Sequence, residues 1–164
     1  PFMTILLPLT MALLGGPVFG GAKPVPFNPN RVRYGEWGAA MVALAGPLTN
    51  FFIAFLAFGI GALMGVVSNG GLVASSFLGS VIAMTVSVNL GFFVFNMLPV
   101  PPLDGSRLLY ALAPESARRL MEQIEQYGTL VVFLLVVLFS SAIGRVMSAC
   151  ISTILDVFMM IFSV

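Results

Sequence analysis

The stretch "FNMLPVPPLDG", residues 95–105, closes a long apolar run with three prolines and then a carboxylate, Asp104. The run that leads into it, 72–98, carries no charged residue and exceeds the roughly 20 apolar residues that cross a bilayer. Pro99, Pro101 and Pro102 each lack a backbone donor and clash with a preceding helical turn, so a helix entering this stretch stops there. The reading is a transmembrane helix broken by prolines, with an acid just past the break.

The rest of the chain agrees. Of its 164 residues, 59% are hydrophobic and only 8% charged, too little polar surface to cover a water-soluble globule. Apolar segments fall at about 2–19, 37–67, 72–98 and 128–164. The expected fold is an all-α integral membrane protein, a bundle of about four to five transmembrane helices with one proline-broken helix, forming a single membrane domain over 1–164. The last segment is long enough for one tilted helix with an extension or for two helices joined near "SSAIGR" (140–145). Residues 114–127, "PESARRLMEQIEQY", place Leu120, Ile124 and Tyr127 on one face behind Pro114, a short amphipathic interfacial helix.

Charge sets orientation and excludes some functions. Lys23, Arg31 and Arg33 precede the second apolar segment, and Arg107, Arg118 and Arg119 follow the third, whereas "SNGG" between them is uncharged. Both basic loops then share one side, and the positive-inside rule makes it cytoplasmic. A net charge of +1 without a basic run points away from nucleic acid and from a polybasic lipid tail. One cysteine, Cys150, forms no internal disulfide and reads as apolar filling. The chain opens on Pro1 with no charged region before its first apolar run; the expectation is a piece of a longer protein rather than a signal peptide.

Two readings of Asp104 stand side by side. In the plain one, "LDG" is an interfacial turn, with Gly105 supplying a positive φ. In the functional one, a carboxylate near membrane depth, costing about 2.5–3.5 kcal/mol on insertion scales, is kept for a partner. The prolines favour the second, because unwound backbone at depth is tolerated only beside protein or a watery cavity; segment 72–98 is expected to lead into a polar cavity with Asp104 at its rim.

"NMLPVPPLDG", with Asn96 eight positions before Asp104, together with "ALAGPLTN" (43–50) and "GGAKPVPFNPN" (20–30), resembles the site-2 protease family of intramembrane zinc metallopeptidases in its small prokaryotic form. The resemblance covers most of residues 1–110. It implies that Asp104 is the third protein ligand of a catalytic Zn²⁺, that Asn96 and Pro102 help position the substrate backbone, and that the substrate is a transmembrane protein within the lipid bilayer. Catalytic zinc takes three protein ligands and leaves one position to water, whose pKa falls to roughly 7. In the family the other two ligands and the general base come from an HExxH helix. This chain has no histidine, so the HExxH helix is expected upstream of residue 1, and the 164 residues alone are not expected to be active. A non-catalytic scaffold or regulator of the same descent, and a transporter with a broken helix, are the alternatives.

Other polar positions are weighed likewise. Asn50 and Asn89, inside apolar runs, either form interhelical hydrogen bonds or, for Asn50, face the cavity and bind substrate. Gly61 and Gly65 form a GxxxG read as close helix packing. Arg145 snorkels or marks a turn between two terminal helices. "KPVPFNPNRVRY" (23–34) is a candidate extended element for pairing with an unwound substrate, against an ordinary proline-rich loop. The oligomeric state is left open.

Overall fold

The structure, a computed structural model, describes residues 34–68, 71–72 and 76–164. Helix α1 spans Gly35–Leu63, a short β pair joins Val67–Ser68 (β1) to Gly71–Leu72 (β2), and α2 spans Phe77–Asn96. Then come α3 (Ser106–Leu112), α4 (Glu115–Gln126) and α5 (Gly128–Phe162). Three of these, α1, α2 and Leu130–Phe162 within α5, are long and apolar enough to cross a membrane. The expected first apolar segment, the "GGAKPVPFNPN" motif and nearly all of the candidate extended element lie outside the described residues.

Helix ends follow from local chemistry. Ser76 caps α2, its Oγ accepting the Gly79 N–H at 3.0 Å. α1 ends in a Schellman motif: Gly65 takes φ +67°, Val66 N–H donates to Gly61 O at 2.9 Å and Gly65 N–H to Ala62 O at 3.1 Å. This corrects the GxxxG reading. Gly61 does pack closely, since a Cβ there would sit 3.0 Å from Ile82 Cγ2, but Gly65 has open space and serves the turn instead.

α1 and α2 pack along stripes at helical spacing. Val86, Leu90 and Ile82 of α2 meet Ala54 and Phe58 of α1, and Phe158 of α5 completes the cluster. Rings carry the α1–α5 contact: Phe158 lies 5.5, 5.2 and 5.6 Å from Phe51, Phe55 and Phe58. Gly59 has no side chain because the Phe162 ring fills its place, 2.7 Å from where a Cβ would be. Elsewhere the spans expose large apolar side chains such as Phe52, Leu56, Met84 and Leu138. A bilayer solvates these as readily as a protein core would, so their exposure needs no partner.

α5 resolves the question left open for the last segment. Its 35 residues form two helical stretches that meet at a kink, against the roughly 20 residues that cross a hydrocarbon core of about 30 Å. Its only non-helical residue is Phe139, φ −117° and ψ 18°, just before the "SSAIGR" stretch. Arg145 lies within the continuous helix beyond that break, not at a turn.

Candidate functional site

α2 stops at Asn96, and residues 97–105 fold into a loop that satisfies itself. Leu98 N–H donates to Phe95 O at 3.2 Å, Val100 N–H to Leu98 O at 2.8 Å and Leu103 N–H to Val100 O at 2.9 Å. Gly105 N–H then donates back to Asn96 O at 2.7 Å, tying the loop's end to the helix it left. Gly105 has φ −60°, not the positive φ expected from the sequence. Its glycine is required by proximity: a Cβ would meet Met97 O at 2.4 Å and Met97 C at 2.6 Å. Ser106, buried, donates its hydroxyl to Leu103 O at 2.7 Å and starts α3.

This closure presents Asp104 to α1. Its Oδ2 lies 3.7 Å from where a Gly46 Cβ would stand, so the loop approaches α1 through a position without a side chain. Pro47, buried in the helix interior, adds a missing donor one turn past Ala43. Asn50, half-buried, sits one turn along the same face of α1 as Gly46. Asn96 and Pro102 flank the loop, both half-buried. Thus Asn96, Pro102 and Asp104 share the loop at the end of α2, which meets α1 at Gly46, one turn from Asn50; no hydrogen bond joins Asn50 or Asn96 to Asp104. Asn89 is not an interhelical link: its amide donates to Thr85 O of its own helix at 2.8 Å.

Asp104 itself accepts no hydrogen bond from the described residues, and burial pushes its carboxyl above the usual 3.8, with the Arg107 charge pulling the other way. It is an acceptor with no donor among the described residues, a state suited to a cation. Among the described residues no three His, Cys, Asp or Glu side chains come together to hold a metal. Asp104 therefore fits as one ligand of a set, and the described residues do not complete that set.

An apolar groove lies beside the loop. A space of about 500 Å³ runs between the end of α2 and α5, lined by Phe93, Met97, Leu98, Val146, Cys150 and their neighbours. Asp104 is not part of its lining. Cys150, read as filling, is exposed on this groove.

A second feature escaped the sequence. Arg107 and Tyr110, on successive turns of α3, both reach Glu125 near the end of α4: Arg107 ion-pairs with one carboxylate oxygen, and the Tyr110 hydroxyl donates to the other at 2.9 Å. The Arg107 guanidinium also lies 4.9 Å from the Tyr110 ring centre. Burial, then Glu125, pushes the Tyr110 phenol well above its ordinary range. Next to this knot Gly128 rests against Pro102, whose Cγ is 3.1 Å from a would-be Cβ. The start of α5 thereby braces the Asp104 loop. Nothing local in the sequence links residues 107 and 125.

Long apolar spans, one of them ending in a proline loop whose carboxylate docks on a second span at Gly46, define a helical membrane protein. The chain belongs to peptidase family M50. Residues 60–139 match that family. Over 165 residues it is 36% identical to YwhC of Bacillus subtilis (strain 168), described as a candidate zinc metalloprotease, covering 99% of this chain and 72% of that protein. No solved structure matches the chain.

Proposed function

We propose that this chain is the part of an intramembrane zinc metalloendopeptidase that supplies the carboxylate ligand, and that the complete enzyme hydrolyses peptide bonds within transmembrane segments of membrane proteins. Family membership and the relative's description support the metallopeptidase class. The observation that carries the residue assignment is Asp104, half-buried at the end of a span, without a hydrogen-bond donor among the described residues and with its Oδ2 3.7 Å from the Gly46 Cβ position.

Zinc bound there would lower the pKa of a coordinated water to roughly 7 and so make a nucleophile available at neutral pH. This chain's own residues do the holding and aligning. Asp104 offers its oxygens from a loop clamped at both ends, and the Gly105–Asn96 bond sets its reach. Asn50 and Asn96 are amides with capacity to hold an unwound substrate backbone, and Pro102 limits where that backbone can lie. The apolar groove beside Leu98 and Met97 offers a membrane segment a surface as oily as lipid. The histidine ligands and general base are expected on a segment outside these 164 residues, and the basic loops put the site on the cytoplasmic side of a prokaryotic membrane.

The test is zinc content of the complete protein after dialysis, wild type against Asp104→Ala. Loss of at least tenfold in zinc affinity is expected, in line with removing one of three ligands; undiminished binding rejects the assignment. Asn50→Ala and Asn96→Ala should keep the metal and lower cleavage of a membrane substrate. Metal loss in either would make it a support of the centre rather than a substrate contact.

A further inference from the structure

Asp104 and Arg107 stand one turn apart, an acid and a base at a spacing where such side chains ordinarily meet. The turn between them is formed, since Arg107 N–H donates to Asp104 O at 3.1 Å. Yet the two side chains diverge. Asp104 Oδ2 faces α1, 3.7 Å from the Gly46 Cβ position, and makes no ion pair among the described residues, whereas Arg107 turns to α4 and pairs with Glu125.

An arginine this close to an unengaged carboxylate is a rival to a metal ion. Its guanidinium fork matches a carboxylate with two parallel hydrogen bonds and keeps its charge at any ordinary pH. Pairing with Asp104 would occupy the oxygens a cation needs and set a positive charge against it.

Glu125 stands in the way of that pairing. One of its oxygens holds the guanidinium, and the other accepts the Tyr110 hydroxyl at 2.9 Å. Tyr110 is buried, so Glu125 is anchored on a side chain that packing holds still. The Tyr110 ring also lies 4.9 Å from the guanidinium and favours it there. Packing does not account for Glu125 itself, because α4 contributes no buried residue. Its carboxylate is committed instead to α3, the helix that begins at Ser106, directly behind the Asp104 loop. Glu122, three positions back on α4, is exposed and makes no ion pair with Arg107. Without Glu125, a guanidinium largely removed from water is left beside Asp104, an acceptor without a donor among the described residues.

We propose, on the reading that Asp104 is a metal ligand, that Glu125 is a positioning residue for the centre: it holds Arg107 on the α4 side and so keeps the Asp104 carboxylate open to a cation.

The test measures zinc affinity of the complete protein by competition with a chelator, in wild type, Glu125→Gln, Arg107→Gln and the double variant. Glutamine keeps an acceptor for the Tyr110 hydroxyl and removes only the charge. Glu125→Gln should bind zinc about tenfold more weakly, as loss of an outer partner does at metal sites. Arg107→Gln should bind as wild type does, and the double variant should recover most of the loss, because the rival is gone. A merely structural knot behaves the other way, the double variant binding no better than Glu125→Gln. Unchanged affinity in Glu125→Gln, or no recovery in the double variant, overturns the proposal.

A second readout needs no metal. In zinc-free protein, the effects of Asp104→Asn and Arg107→Gln on the unfolding midpoint should be nearly additive while Glu125 is present and clearly non-additive in Glu125→Gln, where the two side chains pair. Equal coupling in both backgrounds also overturns the proposal. The two readings fail separately: full zinc binding by Asp104→Ala rejects the ligand, while the zinc-free coupling still reports whether Glu125 holds Arg107 away.

Discussion

Replacing Gly105 with alanine tests the loop closure on which the site depends, because two effects predict opposite signs. The backbone at Gly105, φ −60° and ψ −25°, is one that alanine adopts freely. Chain entropy alone would therefore favour alanine by about 0.4–1 kcal/mol. Against this, the new methyl would stand 2.4 Å from Met97 O and 2.6 Å from Met97 C. Those are backbone atoms, which cannot rotate aside, so residues 97–105 must move, at a cost of about 1–3 kcal/mol. The movement also weakens the 2.7 Å bond from Gly105 N–H to Asn96 O, a further 1 kcal/mol or about that. The net expectation is a loss of about 2 kcal/mol. Denaturant unfolding of the complete protein in detergent would read it, with Gly91→Ala as the control, since no atom lies within 4 Å of a Cβ at Gly91. Zinc affinity should fall with Gly105→Ala and hold with Gly91→Ala, because only the first displaces Asp104. A Gly105→Ala protein as stable as wild type would refute the close-approach argument, and retained zinc affinity would refute the claim that closure positions the carboxylate.

Glu125→Gln should cost about 1 kcal/mol by removing the charge opposite Arg107, a pair only about 30% exposed; the exchange Arg107→Glu with Glu125→Arg should recover part of it in the same unfolding assay. Tyr110 is protonated more firmly when folded than when unfolded, so its contribution is complete below its ordinary pKa of 10.0 and is lost as pH climbs above it. Stability measured from about pH 9 to 11 should fall at the upper end in wild type and fall less in Tyr110→Phe. Phe158→Ala, at a side chain 1% exposed among three rings, should cost about 3 kcal/mol, whereas Leu138→Ala, 67% exposed to lipid, should cost little in the same unfolding assay.

The helices were legible because a bilayer imposes a coarse rule: backbone must pair internally, and long uncharged runs do so as helices. The runs 72–98 and 128–164 contain α2 and α5, 37–67 covers all of α1 but its first two residues, and "PESARRLMEQIEQY" contains α4. Asp104 was legible for a related reason, as an acid where acids are expensive. Asp156 met the same criterion and was passed over, since no motif surrounds it.

What the order of residues determined by itself was membrane residence, the break after Asn96 and the carboxylate beyond it, all of which rest on local chemistry: hydropathy, missing proline donors, one charge. Only the tertiary structure decided that Gly105 serves contact rather than turn, that the loop closes back on the end of α2, and that Glu125 gathers Arg107 and Tyr110. Each of these depends on which surfaces meet across tens of residues, and in lipid that choice is made by packing, because apolar side chains gain little by leaving one oily surrounding for another.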